Sequence, residues 1–227
     1  TEQPYGRFTA KMAIDIAAPH TWPASILPVA IAVCLAVATG YVVSASLTIV
    51  LLAICILMQS SVNTFNDYYD YVKGTDSSED DVDPTDAVLV YNNVNPKSAL
   101  AFAVALLVCA FVLGGYVIYR AGLIPLAIGV IGAVFVVIYS AGKTPISYLP
   151  LGEGVSGIVM GGLIPLACYQ VLTGVLSPLA MLWALPEILG IGLIMFTNNT
   201  CDIEKDIDAQ RRTLSVLLGR TKARTLY

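Results

Sequence analysis

Four stretches of this chain carry no charged side chain: Ile16 to Asn66, Ser98 to Tyr119, Ala121 to Gly142, and Gly154 to Pro186. A helix needs about 20 predominantly apolar residues to cross the hydrocarbon core of a bilayer, and every one of these stretches is long enough. Composition agrees, with 57% hydrophobic and 12% charged residues and a mean hydropathy of +0.77. Soluble domains carry roughly twice that charged fraction. The expected fold class is therefore all-α, a polytopic transmembrane helical bundle, with six helices near 22–43, 47–70, 98–119, 121–141, 153–173 and 179–203. Gly40, Pro96, Gly122, Pro145, Gly174 and Pro178 fall near the joins, where chain breakers belong. Pro125 and Pro165 fall inside two of the spans and are expected to kink them. No segment resembles a cleaved signal peptide, because the first apolar run is far too long for one and is preceded by Asp15. The segment holding Arg7 and Lys11 is expected to lie along the cytoplasmic interface.

The scarce charge is not spread evenly. Of sixteen Asp and Glu residues, eight lie between Asp67 and Asp86 and four between Asp202 and Asp208. The acidity, and with it the pI of 4.8, is thus concentrated in two segments that each close an apolar run. Lys and Arg set the sidedness: with the N-terminus inside, Arg7, Lys11, Lys73, Lys97, Lys143, Lys205, Arg211 and Arg212 are cytoplasmic and Arg120 alone is outside. This orientation puts both acidic segments and Lys143 on one face. Cys34, Cys55, Cys109, Cys168 and Cys201 are isolated, with no C-x-x-C pair, and read as packing residues.

Spacing within the acidic segments suggests their chemistry. On a continuing helix Asn66 and Asp70 are four apart, Asp67 and Asp70 three apart, and Asp202 and Asp206 four apart, so each segment presents oxygens on one helical face. Mg²⁺ takes oxygen ligands and usually binds through a few carboxylates plus substrate phosphates. Two such clusters facing each other would hold ions on both sides of a diphosphate, with Lys143 and Arg211 or Arg212 neutralising the remaining charge. Glu79, Asp80, Asp81, Asp83 and Asp86 read instead as a solvated loop. Carboxylates at the ends of apolar helices are costly unless coordinated or wet, which sets Asn66, Asp67, Asp70, Asp202 and Asp206 apart as metal ligands. Asn63, Asn198 and Asn199 lie within a turn of the clusters and are candidates to orient those ligands or contact substrate. Glu187, inside the sixth span, is a functional carboxylate or a hydrogen-bonded structural one. Gly161 and Gly162 are expected to permit close helix packing.

NDYYD followed by YVKGTD, with DIEKDIDAQRRTLSVLLG later, resembles the two aspartate-rich motifs of the UbiA superfamily of intramembrane prenyltransferases. Within it the likeness is to the 1,4-dihydroxy-2-naphthoate polyprenyltransferases of menaquinone synthesis. APHTWPASILPV is similar to their opening motif and YSAGKTPISYLPLGE to their central loop. The resemblance runs from about Ala17 to Gly219. It implies Mg²⁺ as cofactor, with Asn66, Asp70, Asp202 and Asp206 as metal ligands and Asp67 supporting them or binding an ion in a catalytic role. It also implies that Tyr139 and Lys143, matching Y-S-x-x-K, contact the diphosphate, and that Lys73 sits in a substrate-binding K-G-x-D.

This sequence departs from the pattern at Ala18 and Cys201, where the superfamily usually has Arg, and at Gly74, where it often has Asp. His20 either replaces the first missing cation or is structural. The resemblance further implies nine helices, so residues 1–227 read as one domain lacking the last three, with TLSVLLG opening a seventh span. The expected reaction is transfer of a polyprenyl group from its diphosphate to an aromatic acceptor with loss of carbon dioxide. Partners would be polyprenyl diphosphate, the aromatic acceptor and membrane lipid, with no nucleic acid, and the expected location is a prokaryotic plasma membrane.

Two alternatives compete with that reading. One is another acceptor of the same superfamily: 4-hydroxybenzoate, homogentisate, haem or a glycerophosphate lipid. The other is a cation-coupled transporter, which would place its ligands near the membrane midplane in interrupted helices, whereas these carboxylates fall at helix ends.

Overall fold

A computed structural model of the chain describes residues 5–73, 87–140 and 144–227. Lys143, Gly74, Asp76 and the acidic run from Glu79 to Asp86 lie outside the described residues. The rest is helical: α1 (Ala10–Ile16), α2 (Pro23–Ala38), α3 (Ala45–Lys73), α4 (Val88–Asn92), α5 (Pro96–Ala121), α6 (Ile124–Ser140), α7 (Gly152–Ser156), α8 (Ile164–Thr173), α9 (Leu179–Trp183), α10 (Leu185–Cys201), α11 (Ile203–Asp208) and α12 (Leu214–Leu226). Short 3-10 turns occupy Pro19–Thr21 and Ile146–Tyr148, and Gly157–Leu163 is a π-helix joining α7 to α8. Among the described residues the one β contact is an isolated bridge between Gly6 and Val94.

Among the described residues three helices are long and apolar enough to cross a membrane: Ala45–Val72, Pro96–Ala121 and Gly152–Thr173. The bent pair Ala10–Thr21 and Pro23–Ala38 makes a fourth if taken as one span, and α6 is apolar but shorter. A helix occupies each of the six expected stretches, with three departures, the first being that α2 ends at Ala38 rather than near residue 43. Pro186 has no N–H to donate and sits in the first turn of α10, so the chain breaks at Ala184 and the sixth helix is split into α9 and α10. Pro165 opens α8 just after the π-helical stretch, so this span changes its helical pitch there. Pro125 stands in the first turn of α6, where proline is tolerated and kinks nothing. The helix expected from TLSVLLG is α12, interrupted by Gly219 at φ 73°.

The chain divides into two compact units, Thr1–Ile26 with Leu52–Gly115 and Leu27–Leu51 with Tyr116–Tyr227. In the first, Ile16, Val88, Leu89, Val94 and Ala99 form a buried cluster on which Phe8, Met12, Tyr68, Tyr71 and Phe102 pack. Thus α1, expected at the membrane surface, is held against the short helix α4. Small residues let α3 and α5 approach closely: Ala99 and Ala103 are buried on α5, and the Ser61 hydroxyl donates to the Ala103 carbonyl at 2.9 Å. The outward side of α5 exposes Val104, Val108, Phe111 and Val112, as a lipid-facing surface does.

In the second unit α10 lies against α7 and the π-helix. At Gly157 and Gly161 the backbones meet so closely that a Cβ on Gly161 would stand 2.7 Å from the Ile188 Cα and nitrogen. The two glycines are where this close approach is made. Tyr169 of α8 joins α2 through a 3.2 Å hydrogen bond with Thr39, and Ser215 joins α12 to α10 through Thr200 at 2.8 Å.

Candidate active site

Helix α3 has 29 residues and at 1.5 Å per residue is about 43 Å long, well beyond the ~30 Å hydrocarbon thickness. Its polar C-terminal part, from Asn63 to Asp70, therefore falls at or beyond one membrane boundary while the apolar part is spent in lipid. There Ile16, Ala18, Thr21, Asn63, Asn66, Asp67 and Asp70 line a cleft of about 170 Å³. The four polar α3 residues among them had been singled out from sequence, and the structure brings them to one cleft.

They differ in role. Asp67 is buried, and its Oδ2 accepts the Val88 N–H at 3.0 Å, satisfying a free donor at the start of α4. Asn63 is fixed on several sides: its Nδ2 donates to the Ala17 carbonyl at 3.1 Å and the Thr21 hydroxyl at 2.8 Å, and its Oδ1 accepts from Gln59 at 3.2 Å. Gln59 also accepts from Ser25 at 3.1 Å, so α2 and α3 share one polar network. Asn66 is exposed and Asp70 half-buried, and both line the cleft. The donor set is all oxygen, which suits a hard divalent cation. Ala18, where the resemblance implies Arg, lines the same cleft with φ +48°. His20 is exposed on the neighbouring 3-10 turn and is not among the lining residues. Lys73 ends α3.

In the second unit, α10 ends at Cys201, and Asp202 is the break from which α11 restarts. The expectation of one continuing helix through Asp202 and Asp206 is corrected to this extent, although the Asp206 N–H still donates to the Asp202 carbonyl at 2.8 Å. Asp202 is exposed and Asp206 is 3% exposed. Helix α11 closes with Gln210 in the left-handed region (φ 56°), and the Arg211 N–H turns back to the Asp206 carbonyl at 2.7 Å. This turn sets the Arg211 guanidinium 3.6 Å from Asp206 Oδ1 and 5.0 Å from the centre of the Tyr148 ring. The Arg212 N–H donates to the Tyr148 carbonyl at 2.8 Å while its side chain is exposed. Thr213 caps α12 and donates its hydroxyl to Asp206 Oδ2 at 3.0 Å.

Burial pushes the Asp206 carboxyl above its ordinary pKa; the Thr213 hydrogen bond and Arg211 pull it down, and Asp202 and Glu153 push it up. Asp206 thus carries its charge against burial with Arg211 and Thr213 in support, and among the described residues no three acidic, His or Cys side chains are grouped closely enough to hold a metal ion. Asn199 donates to Glu153 Oε1 at 2.8 Å. Glu153, on the first turn of α7, had not been singled out from sequence. The signal was available: it is an acidic residue opening an apolar span, the criterion that drew attention to Glu187. Tyr139 lies in the last turn of α6, its hydroxyl 3.5 Å from where a Cβ on Gly152 would sit. Glu187 is 9% exposed on α10, with neither carboxylate oxygen hydrogen-bonded among the described residues.

Long apolar helices, an all-α architecture and carboxylates gathered at helix ends define an integral membrane protein with polar clusters of catalytic type. The chain belongs to the UbiA prenyltransferase family, whose model matches residues 25–227. It is 34% identical over 209 residues to a Bacillus subtilis protein named 1,4-dihydroxy-2-naphthoate octaprenyltransferase, covering 92% of this chain and 66% of that one. It is 31% identical over 217 residues to the UbiA prenyltransferase domain-containing protein 1 of Danio rerio, covering 92% and 62%. The human protein of that name is 30% identical over 213 residues, covering 92% and 61%. The chain thus spans a little under two thirds of the length of these relatives.

Proposed function

We propose that this chain transfers a polyprenyl group from an allylic prenyl diphosphate to a hydroxylated aromatic acid, 1,4-dihydroxy-2-naphthoate being the acceptor suggested by the name of the Bacillus relative. The observation that supports the reading is the presence of two oxygen-rich clusters, one lining the cleft at the end of α3 and one at the break between α10 and α11, in a chain of the prenyltransferase family. Asn66, Asp70, Asp202 and Asp206 would hold Mg²⁺, with Asp67 bracing the first set through α4. Bound Mg²⁺ supplies positive charge to the departing diphosphate.

In the transfer, the bond from the allylic carbon to the diphosphate oxygen breaks, that carbon bonds to the electron-rich ring, and the ring carboxyl leaves as carbon dioxide. Lys143, Tyr139, Lys73 and Arg212 are proposed to bind the diphosphate, each cation stabilising its charge through hydrogen bonds that are stronger for being charge-assisted. The apolar spans hold the isoprenoid and keep water from the allylic cation. Membranes containing the protein, supplied with Mg²⁺, a prenyl diphosphate and each candidate acceptor, should yield by mass spectrometry a prenylated naphthalenediol lighter by carbon dioxide. Formation of product from 4-hydroxybenzoate or homogentisate alone would overturn the acceptor, and no prenylated product from any acceptor would overturn the reaction.

The Lys and Arg distribution supports a cytoplasmic location for residues 67–96, 142–152 and 204–213. Single cysteines placed in each segment should all label from the cytoplasmic side. Labelling of 142–152 from the opposite side would contradict a role for Lys143 beside these carboxylates.

A further inference from the structure

Besides Gln170 and Glu187, the buried polar groups of the second unit without a partner among the described residues are Glu153 Oε2, an acceptor, and Arg211 Nε, a donor. Glu153 is 6% exposed. Leaving such groups unpaired is costly, and more so when they are charged. Buried polar atoms without partners call for an explanation, and an unbound ligand is one.

The surroundings restrict what that ligand is. Asn199 holds the other Glu153 oxygen at 2.8 Å, so the carboxylate cannot turn away without losing that bond. The Tyr148 ring lies 5.0 Å from the Arg211 guanidinium and Asp206 Oδ1 lies 3.6 Å from its Nη1, while Nε is buried without a partner among the described residues. Tyr148 under Arg211 also accepts the Arg212 N–H at 2.8 Å, and the same turn runs into Glu153, the Gly152 N–H donating to the Leu149 carbonyl at 3.2 Å, so Glu153 and Arg211 serve one neighbourhood. A diphosphate offers only acceptor oxygens and would repel Glu153 rather than satisfy it. Among the described residues no three acidic, His or Cys side chains are grouped closely enough to hold a metal ion, so Glu153 is not drawn into a ligand set with Asp202 and Asp206. A ligand that satisfies both atoms offers a hydroxyl to Glu153 and an anionic oxygen to Arg211.

We propose that Glu153 and Arg211 form the polar subsite for the aromatic acceptor, Glu153 accepting a hydrogen bond from a ring hydroxyl and Arg211 Nε donating to the ring carboxylate. Asn199 is then a positioning residue, acting through Glu153. The inference rests on the prenyl-transfer reading and assigns that reading's acceptor. It separates Arg211 from Arg212, which lies next in sequence but is exposed and left to the diphosphate.

The test is titration of the detergent-solubilised chain with three probes: 1-hydroxy-2-naphthoate, 2-naphthoate without the hydroxyl, and 1-naphthol without the carboxylate. One charge-assisted hydrogen bond to a buried group separates such ligands by about tenfold or more. The expected result is that 1-hydroxy-2-naphthoate binds at least tenfold more tightly than either truncated probe. Glu153→Gln, which keeps the bond from Asn199, should abolish the preference over 2-naphthoate while leaving that over 1-naphthol. Arg211→Gln should do the reverse, and a Glu153→Asp variant should fall between wild type and Glu153→Gln. Prenyl diphosphate binding in the presence of Mg²⁺ should be unchanged by Glu153→Gln. Wild-type protein that binds prenyl diphosphate but binds the three probes equally would overturn this inference and leave the prenyl-transfer reading standing. Absence of prenyl diphosphate binding would overturn that reading itself, and loss of Mg²⁺-dependent diphosphate binding in Glu153→Gln would make Glu153 a metal ligand instead.

Discussion

Asp70→Asn and Asp206→Asn are each expected to lower prenyl transfer by about a hundredfold or more while the protein remains folded and extractable. The size follows from where a metal clamp acts: on charge that develops as the diphosphate departs, where removal of one well-placed electrostatic group costs about 10²–10³ in rate. Asn is chosen over Ala because Asp206 is packed at 3% exposure and takes the Thr213 hydroxyl at 3.0 Å, a bond that an amide oxygen still accepts. Asp206→Asn therefore keeps the Thr213 bond and loses the charge, and with it the ion pair to Arg211. Turnover is to be measured at saturating Mg²⁺ against near-ultraviolet circular dichroism of the same sample. Near-normal turnover by either variant would remove that residue from the ligand set, whereas loss of the folded signal would show that its carboxylate is structural. Asp67 is the informative comparison. Asp67 accepts the Val88 N–H, a bond that the amide oxygen of Asp67→Asn still accepts, whereas Asp67→Ala removes it and should lose stability as well as activity.

These roles were legible to different degrees before the structure. Uncharged length alone identifies α3 and α5, because lipid leaves a chain few ways to satisfy its backbone. The same rule finds where α3 becomes polar, and Asn63, Asn66, Asp67 and Asp70 do line one cleft. Spacing did not distinguish Asp67 from its neighbours, since its partner Val88 is 21 residues away across a segment with no periodic signal. The break at Asp202 was likewise hidden. One residue with φ −97° and ψ 19° interrupts the helix without a Gly or Pro to announce it. Glu153 escaped because its meaning depends on Asn199, 46 residues on, and on the turn at Gln210 that places Arg211 beside Asp206. Apolar periodicity encodes which face is buried; it carries no information about which buried polar atom finds which partner.

Gly161 is the position where a small change should do most to the fold. A methyl group there would stand 2.7 Å from the Ile188 Cα and nitrogen and 3.0 Å from the Glu187 carbonyl carbon. Those are backbone atoms of α10, so no side chain can swing aside and the helix itself must move. Overpacking a tight interface costs about 1–3 kcal/mol where side chains can adjust, and a rigid backbone puts Gly161→Ala at or above the upper end of that range. Gly161→Leu should prevent the second unit from folding. Gly190, on the same helix α10, has no atom within 4 Å of an added Cβ, and removing glycine from a helix interior relieves about 0.5–1 kcal/mol of entropic cost. Gly190→Ala should therefore be neutral or slightly stabilising. Thermal unfolding of the three variants in one detergent checks the ordering, and equal midpoints for Gly161→Ala and Gly190→Ala would mean that α10 does not lie against the π-helix as described. Function should follow the same ordering. Asn199 and Asp202 are carried at the end of α10, and a displacement of that helix at Ile188 separates Asn199 from Glu153 before any ligand binds.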